Sequence, residues 1–170
     1  IVCPPGTDVI SYLEPYAEEY GFGEIVPTER ISRNNVQKTH AKCYYQVSYI
    51  TNTANEKILL DVLFEENWYN QIDSLPSTSP FLLMNGEEYT VPLPSKDDLL
   101  GDKLTAYAPN TTGIPYTKRV TRKDGTIEER DCSMEIIKQL FDIASLFDKI
   151  DNLSIVRDTF LKIAPIELEY

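Results

Sequence analysis

Residues 57–64 read Lys-Ile-Leu-Leu-Asp-Val-Leu-Phe, and residues 38–50, just upstream, read KTHAKCYYQVSYI. The first stretch is short and mostly apolar, as expected of a strand central in its sheet. The second is rich in Tyr, Val, Thr and Cys, which suits a long strand. The polar link TNTAN at 51–55 joins them as an antiparallel hairpin. A hairpin of this length commits the chain to a sheet with antiparallel pairing. The helical patterns on either side make the expected class α+β.

Before the hairpin, Ile1–Cys3 is strand-like and is stopped by Pro4-Pro5-Gly6. Thr7 is the expected N-cap of a helix with Val9, Ile10, Leu13, Tyr16, Ala17 and Tyr20 at helical spacing, interrupted by Pro15. Residues 25–30 return to period two. After the hairpin, Asn85-Gly86 between 81–84 and 89–92 predicts a tight turn joining two strands. Beyond Pro94 the pattern is mainly helical. Ser95 with Asp98 three residues later marks a helix start, with Leu99, Leu100 and Leu104 inward and a stop at Pro109. Asp124-Gly125 predicts a small hairpin. Residues 133–150 carry a wide apolar stripe of Ile136, Ile137, Leu140, Ile143, Ala144, Phe147 and Ile150. A last helix is expected over 151–164, ending at Pro165. The expected organisation is therefore an α+β portion over residues 1–94 and a helical portion over 95–170 packing on it.

The chain has 170 residues, 16 Lys and Arg against 27 Asp and Glu, and a net charge of −11. That balance argues against gripping a long nucleic acid over a whole face and against a polybasic membrane-surface protein. No apolar run reaches the length of a spanning helix, and no secretory pattern is present. Cys3, Cys43 and Cys132 are odd in number and far apart. They read as free thiols, and the expected location is the reducing cytoplasm. The chain opens Ile1-Val2-Cys3 without an initiator Met, so the expectation is a piece truncated at its N-terminus.

Four residues stand out as carriers of chemistry. Asp61 sits mid-strand among apolar neighbours, where an ionised carboxylate needs a cation, a metal or donors to meet it. A salt bridge at a strand end and a metal ligand both satisfy that need. Mg²⁺ takes one or two carboxylates together with substrate phosphates. Lys103 is either a surface lysine or a point charge for phosphate. Lys138 and Asp142 are one turn apart on the strongest helix. Asp142 lies beside Phe141 and Ile143, which suits a helix-to-helix salt bridge or a cleft-lining role. His40 is the only histidine, which disfavours His-based triads. No GxSxG, HExxH, GxxxxGK[ST] or GxGxxG occurs. The basic run at 118–123 reads as a solvated hairpin or, alternatively, a contact for RNA or an acidic partner.

The segment LPSKDDLLGDKLTAYA at 93–108, followed after a loop by MEIIKQLFDIASLF at 134–147, resembles the AbiEii/AbiGii-type nucleotidyltransferases. These are toxin-like members of the DNA polymerase β-like superfamily. Lys103 matches the family's Lys in an LLxxKLxAL setting. Lys138, Phe141 and Asp142 match its second helix, of the kind KDLYDLYxLL, with Gln139 where the family carries Asp. EKILLDVLFE at 56–65 is similar to the strand giving the family's third metal-binding carboxylate, here Asp61. The first two come from a DxD-type motif, and Ile1-Val2 resembles the strand residues directly after it.

The resemblance implies a mixed or antiparallel nucleotidyltransferase-like sheet with flanking helices. It also implies Mg²⁺, a nucleoside triphosphate substrate, an RNA, protein or small-molecule acceptor, and a toxin–antitoxin setting with an antitoxin partner. Asp61 would be catalytic and metal-binding. Lys103, Lys138 and Asp142 would be nucleotide-binding, or the last two would tie the helical half to the sheet. The competing class is a catalytically inactive module of the same fold that binds a partner or RNA.

Overall fold

The structure is a computed structural model and describes residues 1–31, 37–48, 53–78, 86–108, 111–122 and 124–168. It forms two compact units, Ile1–Asn67 and Trp68–Tyr170. The class is α+β, as expected.

In the first unit the strands β1 (Val2–Cys3), β2 (Ile25–Ile31), β3 (Gln37–Ser48) and β4 (Thr53–Phe64) form one sheet in the order β1-β4-β3-β2. The expected hairpin is β3–β4, antiparallel, with His40 opposite Asp61. β4 is longer than the expected 57–64, because residues 53–55 of the supposed turn join the ladder. β1 adds to the other side of β4 in parallel, with Val2 opposite Leu63 and Cys3 opposite Phe64. β4 is therefore paired on both edges.

Its two faces differ. Val62 is buried and Leu60 and Phe64 are half-buried, whereas Leu59 and Asp61 are exposed. The expectation that Asp61 is set between two apolar faces is thus corrected. Period two places it on the open face.

Helix α1 (Val9–Glu19) covers part of this unit through Ala17, which is buried, and the half-buried Val9, Ile10 and Leu13. Its N-cap is Asp8 rather than Thr7, because the Asp8 carboxylate accepts from the Ser11 amide at 3.1 Å. Tyr16 and Tyr20 are exposed.

In the second unit β5 (Ile72–Pro76) pairs antiparallel with β6 (Thr90–Pro94). The partner expected at 81–84 lies outside the described residues. β5 escaped the sequence pattern because IDSLP is short and ends in proline. This ladder belongs to the same compact unit as the helices, so the division falls at Asn67/Trp68 and not at Pro94. α2 (Lys96–Ala106) follows β6 directly. β7 (Thr117–Thr121) and β8 (Ile127–Asp131) form the hairpin expected from Asp124-Gly125. Gly125 there has φ +84°, a conformation that favours glycine.

α3 (Ser133–Phe147) and α4 (Leu153–Leu168) complete the unit. Two expectations are corrected. α4 runs through Pro165 to Leu168, since a proline near the last turn costs one helical hydrogen bond while its fixed φ still suits a helix. On α3 only Ile143 is buried, with Ile136 and Leu146 half-covered, while Ile137, Leu140 and Phe147 are exposed, and the half-covered Ile150 lies beyond the helix end.

The core of this unit is Leu100, Ile143 and Val156, joined by Leu104, Tyr107, Leu146 and Ile150. It draws on all three helices. α2 and α4 approach closely at Gly101, where an added Cβ would lie 2.6 Å from the Val156 carbonyl oxygen and 2.8 Å from the Thr159 Cβ. The nearest obstacle is backbone, which cannot swing aside. Gly101→Ala is expected to destabilise the Trp68–Tyr170 unit by about 2 kcal/mol through overpacking, measurable as a lowered thermal midpoint. An unchanged midpoint would refute this helix contact.

Candidate functional site

Ser95 begins α2 as its N-cap, accepting from the Asp98 amide at 3.1 Å. A capping box would send the Asp98 carboxylate back to the Ser95 amide. Instead the Ser95 amide donates to the Gln71 carbonyl at 3.0 Å, and the carboxylate turns into the unit. Asp98 is fully buried. Its Oδ1 accepts from the Asn70 amide at 2.9 Å, from Asn70 Nδ2 at 2.9 Å and from the Thr159 hydroxyl. Its Oδ2 accepts from the Gln71 amide at 3.0 Å and Ser95 Oγ at 2.7 Å.

Burial by itself pushes the Asp98 carboxyl up. The hydrogen bonds from Thr159, Asn70, Ser95 and Gln71 outweigh it and hold the group below the usual 3.8. The neighbouring Asp97, also buried, accepts from the Asp151 amide at 2.9 Å and the Asn152 amide at 3.3 Å, fastening the turn between α3 and α4. Tyr69 donates its hydroxyl to Asp102 at 2.9 Å. Contacts at Ser95, Asp97, Asp98 and Asp102 thus fix the axial position and rotation of α2.

Lys103 is the next residue on that helix. Its Nζ lies 3.2 Å from Asp142 Oδ2 and 3.5 Å from Gln139 Oε1, both on α3. The Lys103 and Asp142 side chains are 33% and 30% exposed, so the pair is shielded yet open on one side. Of the four residues singled out in the sequence, the structure brings these two together. Lys138 is exposed and does not join them. Asp61 lies in the other unit, on β4, where its backbone carbonyl accepts from the Ile1 ammonium at 2.8 Å.

Across α2 and α3, one cation faces one carboxylate and one neutral amide. Such a group can meet an anionic ligand with a directed ammonium. Among the described residues no three His, Cys, Asp or Glu side chains gather into a possible metal cluster.

The basic hairpin is largely self-neutralised. Arg119 meets Glu129 at 3.8 Å and Arg122 pairs with Glu128. Lys118 and Arg130, opposite each other in the ladder, share Glu135 at 3.9 and 3.1 Å. This fits a solvated hairpin.

The arrangement of Lys103 and Asp142 on two successive helices after a β-sheet is the setting in which comparison with known families becomes informative. The model of the family described as "Nucleotidyl transferase AbiEii toxin, Type IV TA system" matches residues 8–165. The chain belongs to this AbiEii family. The match spans both units and includes Asp61, Lys103, Lys138 and Asp142. Comparison with curated proteins and with solved structures gives no match. No helix among the described residues is long and apolar enough to cross a membrane.

Sequence reasoning on this AbiEii-family chain missed Asn70, Asp97 and Thr159 as partners of the α2 start. The one available signal was the doubled acid after Ser95, two carboxylates where a cap needs one.

Two outcomes follow from this geometry. Because the folded Asp98 carboxyl is held below its ordinary value, its contribution is complete above about pH 4 and is lost as pH falls through the folded value. The thermal midpoint of the unit should drop below that pH. Asp98→Asn should lower the midpoint at pH 7 by about 3 kcal/mol of stability, since an amide nitrogen then faces buried donors, and should flatten the acid dependence. For the half-shielded pair, a double-mutant cycle of Lys103→Met and Asp142→Leu should give a coupling of about 1 kcal/mol, discounted for solvent.

Proposed function

We propose that the chain is the sheet and helical part of a metal-dependent nucleotidyltransferase, acting as the toxin of a toxin–antitoxin pair. The reaction is transfer of a nucleoside monophosphate from a nucleoside triphosphate to an acceptor hydroxyl, with pyrophosphate leaving. The observation that carries this reading is the parallel register of β1 on β4. Ile1 bonds to both sides of Val62, through the Asp61 carbonyl and the Leu63 amide, each at 2.8 Å. In a chain that continues before Ile1, the same register sets the preceding residue opposite Asp61. Period two then puts that residue, and the one two before it, on the face that carries the Asp61 side chain. A DxD motif there would align three carboxylates on one open face.

Asp61 suits Mg²⁺ as a hard oxygen donor exposed on one face of a sheet, one ligand of a set. A divalent ion bound there supplies charge neutralisation and orientation of phosphate oxygens. The chain's own residues do the rest. Lys103 offers its ammonium to the triphosphate, and Asp142 with Gln139 keeps that ammonium directed. Lys138, exposed one turn before Asp142, is a second cation for the same anionic substrate. The acceptor is an RNA, a protein or a small molecule carrying a hydroxyl, and the place of action is the cytoplasm.

The test uses the natural full-length protein with radiolabelled nucleoside triphosphates. Asp61→Asn should abolish transfer, by at least a hundredfold, with an unchanged circular dichroism spectrum. Lys103→Met should raise the KM for the triphosphate more than it lowers kcat. Full transfer by Asp61→Asn would overturn the reading.

A further inference from the structure

The outer face of α1 is built from tyrosine. Tyr12, Tyr16 and Tyr20 are four residues apart and are 67%, 47% and 64% exposed. That spacing stacks them along one side of the helix. The Tyr12 and Tyr16 rings have centroids 5.5 Å apart and are tilted by 46°, an ordinary aromatic pair. Three large rings left in water on one helix are not needed for the core, which α1 reaches through Ala17, about 100° round the helix from Tyr16.

The charges around them are of one sign. Glu19, exposed three residues after Tyr16, lies beside the rings, Glu14 and Glu18 are exposed on the far side of the helix, Asp8 caps it, and α1 contains neither Lys nor Arg. Glu19 is close enough to help push the Tyr16 hydroxyl above its ordinary value, after the larger effect of the hydrogen bond with Tyr12.

Rings alone would suit stacked nucleobases. The carboxylates decide against that, because a nucleic acid would bring its phosphates up to them. A cation over the ring faces is attracted both by the quadrupole of tyrosine and by the flanking acids, and arginine does this best because its planar guanidinium also stacks. We propose that the tyrosine face of α1 docks an arginine-rich segment of a partner protein. It belongs to the Ile1–Asn67 unit and uses neither Lys103 nor Asp142, and it stands whether or not the transfer reaction does.

The test is binding of the full chain to a synthetic nona-arginine peptide, with nona-lysine and a single-stranded oligouridylate as comparison probes, by calorimetry at 150 mM salt. The expected result is that nona-arginine binds more tightly than nona-lysine and that the oligouridylate does not bind. The double variant Tyr12→Leu/Tyr16→Leu keeps every charge and should weaken nona-arginine binding about tenfold, the loss of two exposed cation–π contacts. Tyr12→Gln/Tyr16→Gln, which leaves no exposed apolar pair, should do the same, with circular dichroism confirming the helix. Glu19→Gln should weaken both cationic peptides. Equal binding of the two peptides, insensitivity to both tyrosine variants, or capture of the oligouridylate would each overturn the proposal.

Discussion

A carboxylate taken out of water must be met by donors, and at Asp98 five of them converge. They come from three places: the segment just after the unit begins, the cap of the same helix, and the middle of α4. Removing any one would leave a buried charge short of a partner, which is the costly case. The gain over an apolar packing of the same shape is small. What the cluster contributes is uniqueness, since few other arrangements of these segments supply five donors to two oxygens. α4 cannot slide along α2, because Thr159 is held at Asp98 and Gly101 admits the α4 backbone at close range.

The consequence runs along α2. Asp97 fastens the turn that leads from α3 into α4, Asp98 fastens Asn70, Gln71 and Thr159, and Asp102 receives Tyr69. These three acids lie within six residues, on a helix whose period sends them in different directions. Lys103 follows directly, so its ammonium leaves a rod already fixed in rotation and height. The partner carboxylate on α3 is placed by a second route, through Ile143 in the shared core. A two-point approach of this kind brings the cation and its partner carboxylate together without requiring the ion pair itself to stabilise the fold.

Much of this was legible in the sequence. The β3–β4 hairpin, the start of α2 and the α3 stripe follow from period two, a cap and period 3.6, all of which are local. Asp142 was legible as a charge among apolar neighbours, and Lys103 as a point charge for phosphate that matches the family's motif. A helix-to-helix salt bridge was readable for Asp142, but not that Lys103 is its partner, since that depends on the crossing of two helices. β5 was not legible, because a five-residue strand ending in Pro76 has no pattern of its own and exists by pairing with β6. Asp98 was read as an ordinary capping acid. Whether such a carboxylate bends back to its own helix or turns inward depends on donors at Asn70 and Thr159, far away in sequence. The exposed face at Asp61 was misjudged for a related reason: apolar residues on both sides of a strand do not say that both sides are covered.

The charge balance constrains how a triphosphate could be handled under the proposed function. Lys103 is already met by Asp142, Lys96 by Asp151, and the hairpin cations by Glu128, Glu129 and Glu135. On a chain of net charge −11, little positive field is left to draw in three or four phosphate charges unaided. A substrate that arrives with its own divalent counter-ion reverses this sign, since each carboxylate then becomes a ligand and ceases to be a repulsion. On that argument the acidic composition and the pairing of Lys103 with Asp142 both favour a metal-complexed nucleotide, with Lys103 left to orient phosphates whose charge is already largely neutralised.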